Sequence, residues 1–143
     1  MSFDFLSVNA VDEIISLYQT DFSDGWNKEM LISAFNSDRF CAVGARLDGC
    51  LIGVITYNKS IDCADLEGIV VKQEFRRKGI AKALLDKMQI EVKESGISRI
   101  ILEVRKSNLT AISFYTVNGF NQISERKKYY SNGENALVLL KEI

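Results

Sequence analysis

The chain has 143 residues, 47% hydrophobic and 26% charged, which suits one packed domain over residues 1–143 and argues against disorder. Its 18 Lys and Arg balance 19 Asp and Glu to a net charge of -1, so it lacks the global basic field of a nonspecific nucleic-acid or membrane binder. Histidine is absent, which excludes Ser-His-Asp and Cys-His nucleophiles, His-ligated zinc or haem, and a histidine pH switch. Acid-base work falls to Glu, Asp, Tyr, Cys or Lys.

Phe3 to Val8 reads as a first strand. Asn9 can then cap a helix whose apolar positions Val11, Ile14, Ile15 and Tyr18 keep helical spacing to about Phe22. A second short helix follows Trp26 and carries Met30, Leu31, Ala34 and Phe35. Phe40 to Leu47 and Cys50 to Tyr57 are β-rich runs around Asp48-Gly49, the signal of a two-residue type I′ hairpin. Leu66 to Val71 is another strand, ending in the apolar run Ile69-Val70-Val71. After the polar stretch Lys72 to Lys78 and Gly79 comes an amphipathic helix with Ile80, Leu84, Leu85, Met88 and Val92 on one face, closed by Gly96. Arg99 to Val104 is a strand, and Ser107 or Asn108 can cap a helix that runs to Gly119. Phe120 to Tyr130 and Glu134 to Lys141 are two last strands joined at Ser131-Asn132-Gly133. The order βααβββαβαββ predicts an α/β (α+β) fold with a mixed sheet of about seven strands and about four helices. Its central strand–helix–strand unit should be right-handed, with Leu66–Val71 and Arg99–Val104 parallel neighbours.

The three cysteines, Cys41, Cys50 and Cys63, lack CxxC spacing and read as free buried thiols, which implies a reducing, cytoplasmic setting. If Leu47 faces Cys50 across the hairpin, Cys41 falls opposite Thr56, far beyond disulfide reach of Cys50. Neither a signal sequence nor a membrane-spanning run is present. No metal, nucleic-acid or membrane partner is expected.

The segment Arg76-Arg77-Lys78-Gly79-Ile80-Ala81-Lys82 carries four cations to a helix start, where unpaired N–H groups already concentrate positive charge. An external anion would resolve that conflict, and Gly79 and Ala81 leave room for the backbone to aim its amides at a phosphate. Read alone, the cluster is equally compatible with a solvated basic turn. Walker A and GxGxxG patterns are both missing, so a nucleotide-like anion other than ATP or NAD is favoured.

Val71 followed by Arg76-x-x-Gly79-x-Ala81 resembles the acetyl-CoA signature of the GNAT N-acetyltransferases, written Gln/Arg-x-x-Gly-x-Gly/Ala. Leu102-Glu103-Val104-Arg105, Asn108, Ala111-Ile112, Tyr115 and Gly119-Phe120 follow at that family's spacing. The tail Arg126-Lys127-Lys128-Tyr129-Tyr130, with Asn135-Ala136-Leu137, is similar to its bacterial branch that acetylates the N-terminal alanine of a ribosomal protein. The chain departs from the pattern at Val71-Lys72-Gln73-Glu74, which lacks a proline, and at Gly25-Trp26-Asn27, where that branch has Pro-Trp-Ser.

The resemblance implies that acetyl-CoA lies along Ile69, Val70 and Val71, with the Val71 N–H facing the thioester oxygen. Its diphosphate would sit over Arg76, Arg77, Lys78, Gly79, Ile80, Ala81 and Lys82, and Asn108 would bond the pantetheine arm. Glu103 would act as general base through water and Tyr115 would protonate the departing thiolate. From the residues alone, Glu103 also suits an exposed face paired with Arg105 or Lys106, and Tyr115 also suits core. The resemblance also implies that the acceptor is a primary amine. At pH 7 an α-amine of pKa about 8 is roughly a tenth neutral, whereas a lysine amine of about 10.4 is almost wholly charged, which favours a peptide N-terminus. A small-molecule amine or a non-catalytic acetyl-CoA-binding module are the other readings. Asp21, Asp24, Asp62, Asp65 and Glu67, placed in or near loops, could attract a cationic acceptor or be ordinary surface.

Overall fold

The computed structural model describes residues 1–19 and 26–143. The described elements are β1 (Ser2–Phe5), α1 (Val11–Gln19), α2 (Lys28–Phe35), β2 (Phe40–Leu47), β3 (Cys50–Lys59), β4 (Ala64–Val71), α3 (Ile80–Glu94), β5 (Arg99–Arg105), α4 (Leu109–Val117), β6 (Asn121–Arg126) and β7 (Ala136–Glu142). This is the expected order. The strands form one mixed sheet, ordered β1-β2-β3-β4-β5-β7-β6, in which only β4 and β5 are parallel neighbours.

Two apolar clusters hold helices to opposite faces of this sheet. Leu84, Leu85, Met88 and Val92 of α3 pack on Ile55, Tyr57 and Leu66, with Tyr115 of α4 joining the same cluster. Ile14 and Leu17 of α1 and Leu31 of α2 cover Val54 and Val70 on the other face. Each such side chain, fully buried, contributes about 1.5–3 kcal/mol by leaving water. Among the described residues no helix is long and apolar enough to cross a membrane.

Several boundaries differ from the sequence expectation for local reasons. β1 ends at Phe5 because the Ser7 side chain, not Asn9, accepts the capping bond of a 3-10 turn at Val8–Ala10. The predicted continuation of α1 to Phe22 lies outside the described residues. The hairpin forms at Asp48-Gly49, with φ of 51° and 80°, as a type I′ turn requires. Leu47 does pair with Cys50, yet Ile52 is an extra residue in the ladder, so Cys41 pairs with Tyr57 and not Thr56. All three cysteines are free, but Cys50 is exposed and Cys41 and Cys63 are only partly buried, so none is the buried thiol expected. β6 stops at Arg126 rather than Tyr130, because residues 127–135 fold back on their own bonds. In that connection the Lys128 N–H donates to Asn135 Oδ1 at 2.9 Å, and the Tyr130 N–H donates to the Glu134 carbonyl at 3.1 Å.

Two irregularities in β4 shape the site. Parallel pairing with β5 covers only Ala64↔Ile100 and Asp65↔Ile101, and beyond that point the strands separate. On its other edge β4 pairs Thr56↔Gly68 and then Tyr57↔Leu66, which makes Glu67 the extra residue of a β-bulge.

Candidate active site

The separation of β4 from β5 opens a cavity of about 1260 Å³. Within its first wall, the Lys72 N–H donates to the Ile52 carbonyl at 2.8 Å. Antiparallel alternation therefore turns the N–H groups of Ile69 and Val71 away from β3, toward the gap where β5 no longer pairs. A stretch of strand edge inside a cavity demands partners for these groups.

At the end of β4 the chain makes a 3-10 turn, Gln73–Phe75, and enters α3 through two left-handed residues. Gly79 caps α3 at φ 80°, and Arg77 stands at φ 61°, unusual for a residue with a Cβ. A Cβ on Gly79 would meet nothing within 4 Å, so conformation, not space, is what calls for glycine here. No side chain bonds the first turn of α3, whose amides open on the cavity through Gly79, Ile80, Ala81 and Lys82.

The four cations of this turn are not equivalent, which corrects the expectation that they crowd it without compensation. Arg76 Nε donates to the Val71 carbonyl at 2.9 Å and so ties the turn to β4. Lys82 pairs with Asp86 one turn along the helix at 2.9 Å. Lys78 lies outside the cavity lining, its Nζ 5.8 Å from the centre of the Phe75 ring. Arg77 lines the cavity and makes no ion pair with any described acid.

On the opposite wall, β5 contributes Glu103 and α4 contributes Tyr115. Arg126 donates to Glu103 Oε1 at 2.8 Å, and the Glu103 side chain keeps 31% of its exposure. The surface pairing expected with Arg105 or Lys106 does not form: Arg105 pairs with Glu134 at 3.0 Å and Lys106 with Glu125 at 3.1 Å. Tyr115 is 8% exposed, wedged edge-on between Phe114 and Phe120. Burial, reinforced by Tyr18, pushes its phenol well above the ordinary tyrosine value. Its hydroxyl has no hydrogen-bond partner among the described residues, although the residue lines the cavity. Asn108 caps α4, its Oδ1 accepting from the Ala111 N–H at 3.2 Å, and it too lines the cavity. Of the predicted site residues, all but Lys78 border this one space.

The cavity also contains residues that the motif did not supply. Glu67 belongs to β4 and not to a loop, as does Asp65. Glu67, the extra residue of the bulge, lines the cavity wall, where Asn58 Nδ2 donates to its Oε1 at 2.5 Å. Burial raises its pKa most, the Asn58 bond opposes this, and the negative charges of Asp65 and Glu103 raise it further. Next to it Gly68 lets the Tyr18 hydroxyl approach the backbone, since a Cβ there would lie 3.0 Å from that oxygen. Tyr18, Trp26 and Met30 close this corner from α1 and α2. The signal in the sequence was Gly68 itself, an isolated glycine in a strand, which marks a bulge or a close approach. Asp62 pairs with Arg99 at 3.7 Å, and Asp21 and Asp24 lie outside the described residues. Among the described residues no group of three or more metal-ligating side chains is arranged to hold an ion.

Known proteins share this sequence pattern and this fold. The profile of the acetyltransferase (GNAT) family matches residues 11–120. The [ribosomal protein bS18]-alanine N-acetyltransferase of Escherichia coli K12 is 28% identical over 142 residues, covering 90% of this chain and 96% of the relative. The crystal structure of the Escherichia coli ribosomal-protein-S18-alanine N-acetyltransferase superposes with a TM-score of 0.90 at 26% identity, over 99% of this chain and 93% of the other. PaiA N-acetyltransferase from Thermoplasma acidophilum, solved in complex with coenzyme A, shares the fold with a TM-score of 0.81 at 23% identity, covering all of both chains. The chain belongs to the GNAT acetyltransferase family and is an N-acetyltransferase.

Proposed function

We propose that the protein transfers an acetyl group from acetyl-CoA to the N-terminal α-amine of a protein, as the names of its relatives say of them for a ribosomal protein. The observation that carries this reading is that the edge of β4 left unpaired by β5 and the Tyr115 hydroxyl, which no described residue bonds, border one cavity. The thioester supplies an activated acyl group and a thiol leaving group.

The residues fit such a donor. Ile69 and Val71 offer edge N–H groups to the amides of a pantetheine arm, which would extend the sheet where β5 departs. Asn108 uses its Oδ1 as a helix cap and keeps its amide N–H₂ for the same arm. The left-handed turn at Arg77 and Gly79 aims the first amides of α3 at a diphosphate, and Arg77 adds a full charge. The Val71 N–H polarises the acyl carbonyl. Glu103, reached through water, takes the proton of the amine, and Tyr115 donates to the sulfur as negative charge develops there. An α-amine suits this site because a small share of it is already neutral at pH 7 and one carboxylate suffices for the rest.

The reading is tested by intact-mass spectrometry of ribosomal proteins from cells with and without the gene, combined with thiol release by purified protein. A 42 Da loss confined to a protein that begins with alanine is expected. Unchanged masses, together with thiol release on small amines only, would overturn the acceptor assignment.

A further inference from the structure

We infer that Glu67 receives the positive charge of the acceptor, docking the ammonium in the corner made by Tyr18 and Gly68 before Glu103 takes the proton. This rests on the acetyltransferase reading above and names the residue that selects a cationic acceptor. Three observations converge on that corner. First, Glu67 is the extra residue of the bulge, exposed on the face opposite buried Leu66, and it lines the cavity just past the residue where the sheet opens. Second, its neighbours leave its charge unneutralised. Asn58 provides one amide bond from β3, Asp65 and Glu103 are like charges on β4 and β5, and no described cation is paired with it. Glu103 differs, since Arg126 already bonds it. An incoming ammonium therefore finds a carboxylate without a cation at Glu67 and one with a cation at Glu103.

Third, the Tyr18 hydroxyl closes the corner: it lies over Gly68, where a Cβ would stand 3.0 Å from it, so only a small group fits beside the carboxylate. Trp26 and Met30 border the remaining space with apolar surface, which fits a small side chain next to the amine. The ligand class is thus a primary ammonium attached to a small apolar group.

The test uses the full-length protein, acetyl-CoA and a peptide that begins with alanine. In Glu67→Gln the Asn58 bond is retained, because the amide oxygen still accepts, but the charge is removed. The peptide KM should rise roughly ten- to hundredfold, the range for losing a charged hydrogen bond. The kcat should change less than about threefold, acetyl-CoA affinity should stay the same, and the salt dependence of KM should flatten. Glu67→Asp should recover part of the affinity. An unchanged KM in Glu67→Gln, or a fall in kcat at constant KM, would overturn the docking role. If the wild type binds acetyl-CoA but acetylates no peptide amine, the functional reading fails, and this inference falls with it. Peptide turnover without KM sensitivity at Glu67 defeats the inference alone.

Discussion

Replacing Tyr115 with Phe removes one oxygen and little else. The ring packs edge-on against Phe114 and Phe120, with centroid distances of 5.4 Å to each, and phenylalanine keeps both contacts. No described residue bonds the hydroxyl, so its loss breaks no internal hydrogen bond, and stability should change by less than about 0.5 kcal/mol. For a chain of this size that corresponds to no more than about 2 °C in Tm. The catalytic loss should be far larger. A positioned proton donor contributes a factor of about 10²–10⁴, or about 2.7–5.4 kcal/mol of barrier. Burial raises the phenol above its ordinary value, but the same surroundings raise the proton affinity of a departing thiolate, so the transfer stays feasible while the phenol remains protonated throughout the neutral range. Steady-state thiol release, calorimetric acetyl-CoA binding and a thermal melt decide the matter together. Expected are a kcat lower by at least a hundredfold, unchanged acetyl-CoA affinity and an unchanged melt. Wild-type kcat would refute the role, as would an alkaline limb below pH 10 that disappears in Tyr115→Phe.

Gly79→Ala forces a side chain into φ 80° and should cost about 1–2 kcal/mol of stability; a loop that relaxes instead should show a weaker acetyl-CoA affinity, and both are read by melts with and without donor. Arg77→Gly should do the opposite to stability, relieving the left-handed strain at φ 61° by a few tenths to about 1 kcal/mol, while acetyl-CoA binds more weakly for want of the guanidinium. A variant that is both more stable and equally tight would remove Arg77 from the diphosphate site. Bonds from Ser107 and Arg105 hold the Glu134 carboxyl down to about 2 from the usual 4.5. Its folded value is depressed, so the stability it adds is complete above pH 4.5 and is lost as pH falls toward 2; the Glu134→Gln melt should differ from wild type at pH 7 and converge with it at pH 2.

The sheet order and its parallel pair were readable because each strand and helix carries its own period and its own stop signal, as at Asp48-Gly49 and Gly119. The diphosphate turn was readable for a different reason: a helix start crowded with cations breaks a local electrostatic rule. Individual partners were not readable there. Whether Arg76 serves a ligand or the Val71 carbonyl depends on where the chain bends after β4, and no charge pattern encodes that. Register was lost at single inserted residues. Ile52 and Glu67 each add one position to a ladder, and counting from a turn cannot detect an insertion that lies beyond it.

The Glu67 insertion is where the missing information matters for function. Leu66 and Glu67 still alternate across the sheet, Leu66 buried and Glu67 exposed along the cavity. The extra residue falls just past Asp65, the last residue that pairs with β5. One irregularity thus coincides with the opening of the sheet, a carboxylate on the cavity wall and the approach of Tyr18 over Gly68. Deleting Gly68 to straighten the ladder would set Glu67 opposite Thr56 and under the Tyr18 hydroxyl, where a side chain lacks room, and acceptor KM should rise with every motif residue intact.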